Sequence, residues 1–498
     1  MYSSFRFGFD IHFSGTPSSN AQIKNLTSAR QNPDILKKLI LEEVRLGRIV
    51  GPFPSPPFVH FQVNPVGLVP KKELGAFRMI VDMSNPPGSS INDFIEDEFA
   101  TVSYASFKEA IKMIIECGKG AYMCKTDIKS AFRLLPLHPD LYHISLIKCA
   151  DQFYVDRCLA MGTRSSCNLF EKVSCALQFI AQKKGIQFIT HLLDDFFMMN
   201  KSRDENNKDL TIFQSVCHEV GAPLVPEKTF LPAQKQIYYG FEIDTLREEI
   251  RLPTDKLEKC KNLIKQFLVK PKCTLQELQQ LLGLLNWATT VIVAGRVFLR
   301  RLYRRTAGIK KSYHFIRLRV EDKEDLKIWL HFLDNYNGVT LYREELFLSH
   351  VNQHIYTDAS SLGYGAIFDK KWFACSWPNS WWPLQNITLL ELIPVVLATQ
   401  VWATSFRNKC VTLHTDNHAL VFMINNQSSN EDLVMTLLRS MTLNALQNNF
   451  LIKAVHVPGV DNSLADCLSR LQVTRFKQMY PEADSHQTKV TQLPPYLC

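Results

Sequence analysis

Two neighbouring aspartates and a third one upstream have the types and spacing of a metal-binding carboxylate cluster. Asp194 and Asp195 lie between two apolar runs, QFITHLL and FFMMN, the pattern of a β-hairpin with a two-residue turn. Adjacent carboxylates repel unless positive charge neutralises them, and Mg²⁺ is a hard cation that prefers oxygen ligands. Asp127 ends another predicted strand, YMCKTD, and can complete a cluster that holds two ions about 3.5–4 Å apart for in-line phosphoryl displacement. An exposed acidic turn is the alternative interpretation of the Asp pair.

Four more carboxylates accompany predicted strands and helices in the C-terminal part. Asp358 ends the apolar strand HIYTD, Asp416 follows the strand VTLHT, and Asp466 lies in HVPGVDNSLAD. Glu391 lies within the apolar helix LLELIPVVLA, where burial of a carboxylate is costly unless it is paired or binds a cation. A side chain that reaches solvent at the helix edge is the alternative for Glu391. These four residues are the candidate ligands of a second metal site.

The elements that must position these residues follow from apolar periodicity and from helix-terminus signals. The predicted elements are a helix over Pro33–Ile49, a hairpin over Val66–Met83, interleaved strands and helices over Phe99–Asn200, helices over Thr254–Lys270 and from Thr274 (with Glu277, a capping box), a surface helix over Glu321–Asn337, and a second α/β pattern from Gln353.

Charge is unevenly distributed along the 498 residues. The net charge is +9, but the segment from Arg251 to Val320 alone contains 16 Lys and Arg against three Asp and Glu. Aromatic and aliphatic residues interleave with these cations, which favours contact with a nucleic-acid backbone over a merely solvated helix face. With 46% hydrophobic and 21% charged residues, the composition excludes a disordered or fibrous chain.

Cysteine usage and hydropathy give expectations about location. The 13 cysteines are odd in number and form no CxxC pair, which favours reduced thiols in an intracellular protein, in the cytoplasm or nucleus. Residues 1–30 show no secretory leader, and no apolar stretch reaches the roughly 18 residues of a spanning helix. We therefore expect a protein that is not secreted and has no membrane partner.

The first constellation resembles a reverse transcriptase. The segments DIKSAF, LAMGTRSS, LLDDFF, GAPLVPEK and YYGFEID follow the order of a reverse transcriptase palm, and PVGLVPKKELGAFRMIVDMS resembles the fingers hairpin that covers the incoming nucleotide. The resemblance implies that Lys71, Lys72 and Arg78 offer cations to the triphosphate. It also implies that Phe132 lies under the sugar and favours deoxynucleotides, and that Lys228 lies near the pyrophosphate as a general acid.

Three further palm positions follow from the same resemblance. Gly162 would let the backbone approach the template–nucleotide pair closely. This chain has Met161 where retroviral polymerases carry Gln, and Leu192 where the family usually has Tyr or Phe. Neither departure removes a metal ligand, so they affect nucleotide affinity and fidelity more than activity.

The second constellation resembles a ribonuclease H domain, with the order strand–Asp, helix–Glu, strand–Asp and then HxxGxxNxxAD. His456, Asn462 and Asp466 match the last motif. The resemblance implies a second two-metal site that activates water against RNA in an RNA–DNA hybrid, with Asp358, Glu391, Asp416 and Asp466 as ligands. His456 would act as a mobile proton shuttle.

Together these patterns predict an α+β and α/β multidomain chain: a right-hand polymerase with fingers, palm, thumb and connection, followed by an RNase H-like α/β domain. The expected divisions are an N-terminal arm (1–30), fingers and palm (31–250), a basic thumb or connection (251–320), further connection (321–350), the RNase H-like domain (351–470) and a flexible tail (471–498).

The leading hypothesis is an RNA-directed DNA polymerase fused to a ribonuclease H, with two Mg²⁺ or Mn²⁺ ions in each site. Its expected partners are an RNA template, a DNA primer, the RNA–DNA hybrid and deoxynucleoside triphosphates, with other element-encoded proteins possible. The segments GFDIHFSG, NPPGSSIND and LQELQQLLGLLNWATTVIVAGRVFLRRLY resemble the DIRS/Ngaro group of retrotransposons. The alternatives are a decayed or domesticated copy that binds nucleic acid without catalysis, and a retroviral or pararetroviral polymerase fragment.

Overall fold

The computed structural model describes residues 2–71, 75–335, 339–340, 353–378, 386–407, 409–448 and 450–490. The chain divides into two compact units: residues 1–239 with 244–246, and residues 240–243 with 247–498. Among the helices of the described ranges, none combines the length and the hydropathy that crossing a membrane requires.

The helices and strands are numbered separately in chain order. The helices are α1 Tyr2–Phe7, α2 Thr27–Gln31, α3 Pro33–Arg45, α4 Asp97–Ala100, α5 Phe107–Cys117, α6 Ser166–Lys183, α7 Arg203–Glu219, α8 Thr254–Val269, α9 Leu275–Ala288, α10 Arg300–Thr306, α11 Val320–Asn335, α12 Ile387–Val401, α13 Ala403–Phe406, α14 His418–Asn426, α15 Asp432–Gln447, α16 Ser463–Ser469 and α17 Val473–Met479. The strands are β1 Ile49–Phe53, β2 Val63–Asn64, β3 Val66–Pro70, β4 Phe77–Val81, β5 Tyr122–Asp127, β6 Leu146–Cys149, β7 Gln152–Asp156, β8 Ile189–Leu192, β9 Asp195–Asn200, β10 Phe230–Ala233, β11 Lys235–Tyr238, β12 Phe241–Asp244, β13 Glu249–Arg251, β14 Lys272–Thr274, β15 Phe315–Arg317, β16 Val339–Thr340, β17 Gln353–Ala359, β18 Gly363–Phe368, β19 Lys371–Ser376, β20 Cys410–Thr415 and β21 Leu451–His456.

The centre of the first unit is a four-stranded sheet in the order β10-β5-β9-β8. Strand β9 carries four consecutive buried apolar residues, because both faces of the sheet are covered. On one face Phe196 packs against Phe213 of α7, with ring centroids 4.5 Å apart; on the other Phe197 stacks on Tyr238 of β11 at 4.3 Å. This double burial fixes the strand that begins at Asp195.

The remaining sheets of the first unit include the predicted hairpin. Strands β3 and β4 form an antiparallel ribbon, and strands β1, β7, β6 and β2 form a four-stranded sheet. The segment before α3 is more ordered than an irregular arm, because its apolar side chains enter the palm core. Phe9 and Ile11 are buried, and the Phe9 amide donates to the Pro136 carbonyl at 2.7 Å.

The second unit contains a five-stranded sheet in the order β19-β18-β17-β20-β21. Strands β17, β18 and β19 pair antiparallel, whereas β20 pairs parallel with both β17 and β21. Helix α12 is apolar on nearly all sides and is almost entirely buried, as expected for a central helix. A Cβ on Gly365 of β18 would lie 2.4 Å from the Leu468 Cβ, so this glycine allows the close approach of α16.

In the helical region of the second unit, the predicted start of one helix is present, but another helix is more buried than predicted. Thr274 and Glu277 form the predicted capping box at the start of α9. Helix α11, which we expected at the surface, buries Trp329, Phe332 and also the carboxylate of Asp322. The sequence pattern alone did not indicate that burial, because the ion pair of Asp322 with Arg305 forms between two separate helices.

The C-terminal segment also differs from the expected flexible tail over its described part, up to residue 490. Phe476 of α17 is fully buried and lies 5.3 Å, centroid to centroid, from Trp372 of β19. The Trp372 indole N–H donates to the Asp484 carbonyl at 2.8 Å, and the Thr488 amide donates to the Trp372 carbonyl at 2.7 Å. The buried Phe476 ring and these hydrogen bonds attach a polar segment to the sheet.

We predict that Phe476→Ala lowers the free energy of unfolding of the second unit by about 3–5 kcal/mol, because the substitution leaves a cavity beside Trp372. Urea unfolding of the full chain, followed by tryptophan fluorescence, measures the change. Gln478→Ala, an exposed position on the same helix, is the control. Equal stability of the two variants would contradict the anchoring role of Phe476.

Candidate active sites

The first site is built at the ends of two antiparallel strands of the palm sheet. Asp127, the last residue of β5, is the direct register partner of Asp195, the first residue of β9. The hairpin turn consists of Leu193 and Asp194, not of the Asp pair as the sequence pattern predicted, because Leu192 already pairs with Asp195. Leu193 has a left-handed backbone (φ 53°). The three predicted carboxylates therefore meet at one end of the sheet.

Lysines partly offset the repulsion among these carboxylates. Lys228 Nζ donates to Asp127 Oδ2 at 2.8 Å, and Lys125 Nζ lies 3.5 Å from Asp195 Oδ2. Burial raises the pKa of Asp195 to about 6, helped by the charge of Asp127 and opposed by Lys125. Burial and the charge of Asp127 also raise the pKa of Asp194, against the positive charges of Lys228 and Arg78. Three clustered carboxylates, two of them with a raised pKa, fit divalent cations, which supply the missing positive charge.

Lys125 is a site residue that the sequence analysis missed. It precedes Asp127 by two residues on β5, and alternate residues of a strand lie on the same face of the sheet. The KTD spacing could have indicated this neighbour of the metal ligands.

The predicted nucleotide-contacting residues of the fingers are partly described. Arg78 lies exposed on β4, opposite Val69 of β3, and its charge influences Asp194. Lys71 is exposed just after β3, and its amide donates to the Ala76 carbonyl at 2.8 Å. Lys72 lies outside the described residues. Contact of these cations with a triphosphate stays a prediction.

Two palm positions have clear packing roles in the structure. Phe132 is half-buried in a short 3₁₀ helix and packs against Phe170 of α6, with centroids 5.4 Å apart. A Cβ on Gly162 would lie 2.2 Å from the carbonyl oxygen of Val81, so this glycine permits contact with the fingers ribbon. Their predicted roles beside the sugar and the template stay predictions.

The second site gathers four carboxylates from four elements of the second unit. Asp358 lies on β17, Glu391 on α12 and Asp416 directly after β20, and single oxygens of these three lie within 4.8 Å of one another. Asp466 lies on α16, close enough for its charge to raise the pKa of Asp358. The structure therefore brings together residues that are 108 positions apart in the sequence.

Burial and neighbouring negative charges raise the pKa of two members of this cluster. The pKa of Glu391 rises to about 9 through burial and the charges of Asp358 and Asp416. That of Asp358 rises to about 6 through burial, opposed by its hydrogen bond from Ser469. Among the described residues, Glu391 Oε2 is buried without a hydrogen-bond partner, which is costly unless a ligand binds it. A cation among these oxygens resolves both the repulsion and the orphaned atom, so the donor set fits divalent metal ions.

Residues around the second cluster orient its members. Arg470 Nε donates to Asp466 Oδ1 at 2.7 Å, and the Ser469 hydroxyl donates to Asp358. His456 ends β21 in register with Thr415, so its ring lies beside the segment that carries Asp416. Its ring stacks on His418 at 3.6 Å between centroids. Ser469, Arg470 and His418 were not among the predicted site residues.

The densest arginines of the basic segment make contacts within the second unit. Arg305 forms two hydrogen bonds, of 3.0 and 3.1 Å, with the fully buried Asp322, and Arg301 Nη1 lies 3.3 Å from Asp325. Arg304 pairs with Asp432, and Arg300 Nε donates to the Ser429 carbonyl at 3.1 Å. These four arginines join α10 to α11 and to the start of α15. Their charge thus serves intramolecular packing, and contact of these four arginines with nucleic acid stays a prediction.

The raised pKa of Glu391 predicts that the stability of the metal-free protein depends on pH. The ordinary pKa of a Glu is 4.5, and the folded value is about 9, so between these pH values the folded state holds a proton that the unfolded chain has lost. The free energy of unfolding therefore falls as the pH rises through this window. The Glu391→Gln substitution removes this pH-dependent loss of stability. At pH 8 in the presence of a chelator, we expect the free energy of unfolding of the variant to exceed that of the parent by about 1 kcal/mol or more.

Urea unfolding between pH 5 and pH 8 measures this difference. Asp461→Asn, which changes an exposed carboxyl near the same site, is the control and should leave the slope unchanged. Parallel pH profiles for the parent and Glu391→Gln would contradict the buried, protonated state of Glu391.

Comparison with known proteins agrees with the geometry of the first site. Residues 69–243 match the family model described as reverse transcriptase (RNA-dependent DNA polymerase), and this range includes the three palm aspartates. The chain is 25% identical over 390 residues to a polyprotein of Cassava vein mosaic virus, which covers 73% of the chain and 55% of that polyprotein. The chain thus spans about half the length of this relative.

Solved structures show the same fold over most of the chain. Two structures of the foamy viral protease–reverse transcriptase in complex with double-stranded DNA match the chain. The first has a TM-score of 0.56 and 16% identity, and the match covers 90% of this chain and 73% of that one. The second has a TM-score of 0.53 and 17% identity, and the match covers 89% of this chain and 86% of that one. Its complex with an RNA/DNA hybrid matches with a TM-score of 0.50 and 14% identity, over 92% of this chain and 79% of that one. The expected fold class, an α+β and α/β multidomain chain, is confirmed. Residues 69–243 are therefore similar to the reverse transcriptase family, and the chain as a whole is similar to a viral polyprotein.

Proposed function

We propose that the chain is an RNA-directed DNA polymerase fused to a ribonuclease H. The polymerase assignment rests on the register pairing of Asp127 with Asp195, with Asp194 in the adjoining turn. All three residues lie inside the range that matches the reverse transcriptase family. The observation that supports the nuclease is the convergence of Asp358, Glu391 and Asp416 on one point.

In the polymerase site the three aspartates would hold Mg²⁺ or Mn²⁺, which supply activation of the primer 3′-hydroxyl and charge stabilisation at the phosphates. The protein's own part is positioning. Arg78 on the fingers ribbon offers a guanidinium to the triphosphate. Lys228 holds Asp127 through a hydrogen bond and is suited to give a proton to the departing pyrophosphate.

In the nuclease site Asp358, Glu391, Asp416 and Asp466 would hold the same kind of ion, which supplies an activated water. Ser469 orients Asp358, and Arg470 orients Asp466, so the ligands are held before substrate binds. His456, beside the Asp416 segment, is suited to transfer a proton to the leaving oxygen. The 2′-hydroxyl of RNA is the group by which such a site tells the RNA strand of a hybrid from DNA.

Several finer assignments belong to the same proposal. The expected substrates are an RNA template, a DNA primer, an RNA–DNA hybrid and deoxynucleoside triphosphates. The DIRS/Ngaro assignment is supported by the sequence segments named above. Each described cysteine is a free thiol, which supports a reducing, intracellular place of action.

Separate substitutions distinguish the two activities. Asp194→Asn should reduce primer extension on an RNA template by about 10²–10³-fold or more while hybrid cleavage continues, and Asp416→Asn should do the reverse. Deoxynucleotide incorporation and cleavage of a labelled hybrid, each with Mg²⁺ and with Mn²⁺, measure the two reactions.

Primer extension that survives Asp194→Asn would remove the palm assignment. An unsubstituted chain that binds template–primer without either reaction would favour the alternative of a domesticated, non-catalytic nucleic-acid-binding protein. Asp140→Asn, an exposed carboxyl of the same unit, is the matched control for Asp194.

Exposed cations elsewhere in the basic segment are better suited to nucleic acid than the paired arginines. Lys272 and Arg317 are register partners on the two-stranded sheet β14–β15. The Lys272 Nζ lies 4.4 Å from the centroid of the Phe315 ring, which is 63% exposed. Lys311 lies beside Tyr313, which is 64% exposed. We call these five residues the basic–aromatic ribbon; exposed rings among cations are typical of surfaces that bind single-stranded nucleic acid.

Replacing Lys272, Lys311 and Arg317 by Ala should weaken template binding and reduce the slope of log K against log salt by about 2–3, since each phosphate contact contributes about 0.7–0.9. Fluorescence anisotropy with a labelled RNA at several salt concentrations measures the slope. Lys37→Ala with Lys38→Ala, two exposed positions on α3, is the control. An unchanged slope would exclude the ribbon from the binding surface.

A further inference from the structure

Behind the polymerase site, helix α6 and strand β8 bring together three side chains that bind transition metals. Glu171 and Cys175 are one helical turn apart on α6, so they share a face, and His191 lies on β8. Single ligand atoms of the three lie within 4.8 Å of one another. None of these residues has a part in the polymerase or nuclease chemistry described above.

The distances fit a tetrahedral ion. His191 Nε2 lies 3.2 Å from Glu171 Oε1 and 3.9 Å from Cys175 Sγ. Around a tetrahedral Zn²⁺ with bonds of about 2.0–2.3 Å, neighbouring ligand atoms lie about 3.3–3.6 Å apart. The two distances from His191 Nε2 are therefore within a few tenths of an ångström of those that a tetrahedral ion requires.

The other nitrogen of His191 is already oriented. His191 Nδ1 lies 2.5 Å from Gln178 Oε1, the arrangement in which Nδ1–H donates to the amide oxygen. Nε2 is then an acceptor that faces the carboxylate and the thiol. Metal-binding histidines almost always have such a second hydrogen bond, which sets the tautomer.

An unpartnered oxygen supplies an independent reason for a ligand. Glu171 is 93% buried, and its Oε2 has no hydrogen-bond partner among the described residues. A buried carboxylate oxygen without a donor or cation is costly.

We propose that Glu171, Cys175 and His191 bind one Zn²⁺ ion, with the fourth coordination position open to solvent on the side of the exposed Cys175. Thiolate, imidazole and carboxylate together favour zinc over Mg²⁺, which prefers oxygen ligands alone. The ion would link α6 to the strand that leads through Leu192 into the catalytic turn. The Ser174 hydroxyl already donates to the Leu193 carbonyl at 2.8 Å on the same side.

The test is a spectroscopic titration of the full chain after removal of metal with a chelator. Co²⁺ serves as the probe for the zinc site, because a thiolate ligand gives a thiolate-to-cobalt charge-transfer band. We expect this band to saturate near one equivalent and to disappear when Zn²⁺ is added. Cys175→Ser should abolish the band, whereas Cys167→Ser, on the same helix, should keep it.

A second variant tests the geometry without removing a ligand. Gln178→Leu should weaken Co²⁺ binding about 10–100-fold, the usual effect of losing a partner behind a metal-binding histidine. Circular dichroism confirms that each variant is folded. No charge-transfer band in the folded parent, or a band of equal amplitude in Cys175→Ser, would overturn the proposal.

The proposal is independent of the polymerase assignment. Asp194→Asn should keep the band in full, since Asp194 is not one of the three ligands. Loss of polymerase activity with an intact band, or an absent band with full activity, therefore separates the two conclusions.

Discussion

Like-charge repulsion among partly buried carboxylates is the constraint on which both candidate sites depend. Asp127, Asp194 and Asp195 meet at one end of the palm sheet, and burial raises the pKa of the last two. Such a cluster is stable only if positive charge lies nearby. Lys228 and Lys125 supply part of it, and divalent cations are suited to supply the rest. In the second site, burial together with the charges of Asp358 and Asp416 raises the pKa of Glu391 to about 9.

Sheet geometry explains why these carboxylates converge. In the palm, antiparallel register sets the last residue of β5 opposite the first residue of β9. In the second unit, β17 and β20 are parallel neighbours, so Asp358 and Asp416 reach the same end of the sheet. The buried helix α12 adds Glu391 from one side. Antiparallel strands in the palm and parallel strands in the second unit thus both produce a compact group of oxygen ligands.

Charge in the basic segment has two distinct uses. The arginines of α10 pair with acids and carbonyl groups inside the second unit, including the fully buried Asp322. The cations of β14 and β15 lie instead beside exposed aromatic rings. Net charge in a sequence window could not separate these uses, because pairing depends on residues such as Asp432 that are more than a hundred positions away.

Local chemistry in the sequence determined much of the architecture: the capping box at Thr274, the fingers hairpin, the strands that end in Asp127 and Asp358, and the order of the carboxylates. Tertiary structure decided the rest. It shifted the hairpin turn to Leu193 and Asp194, brought Lys125 to Asp195, and packed Phe476 into a segment expected to be flexible. It also gathered Glu171, Cys175 and His191, which no linear motif marks. The physical reason is that periodicity and capping are interactions between residues a few positions apart, whereas burial, ion pairing and ligand geometry depend on which distant elements come into contact.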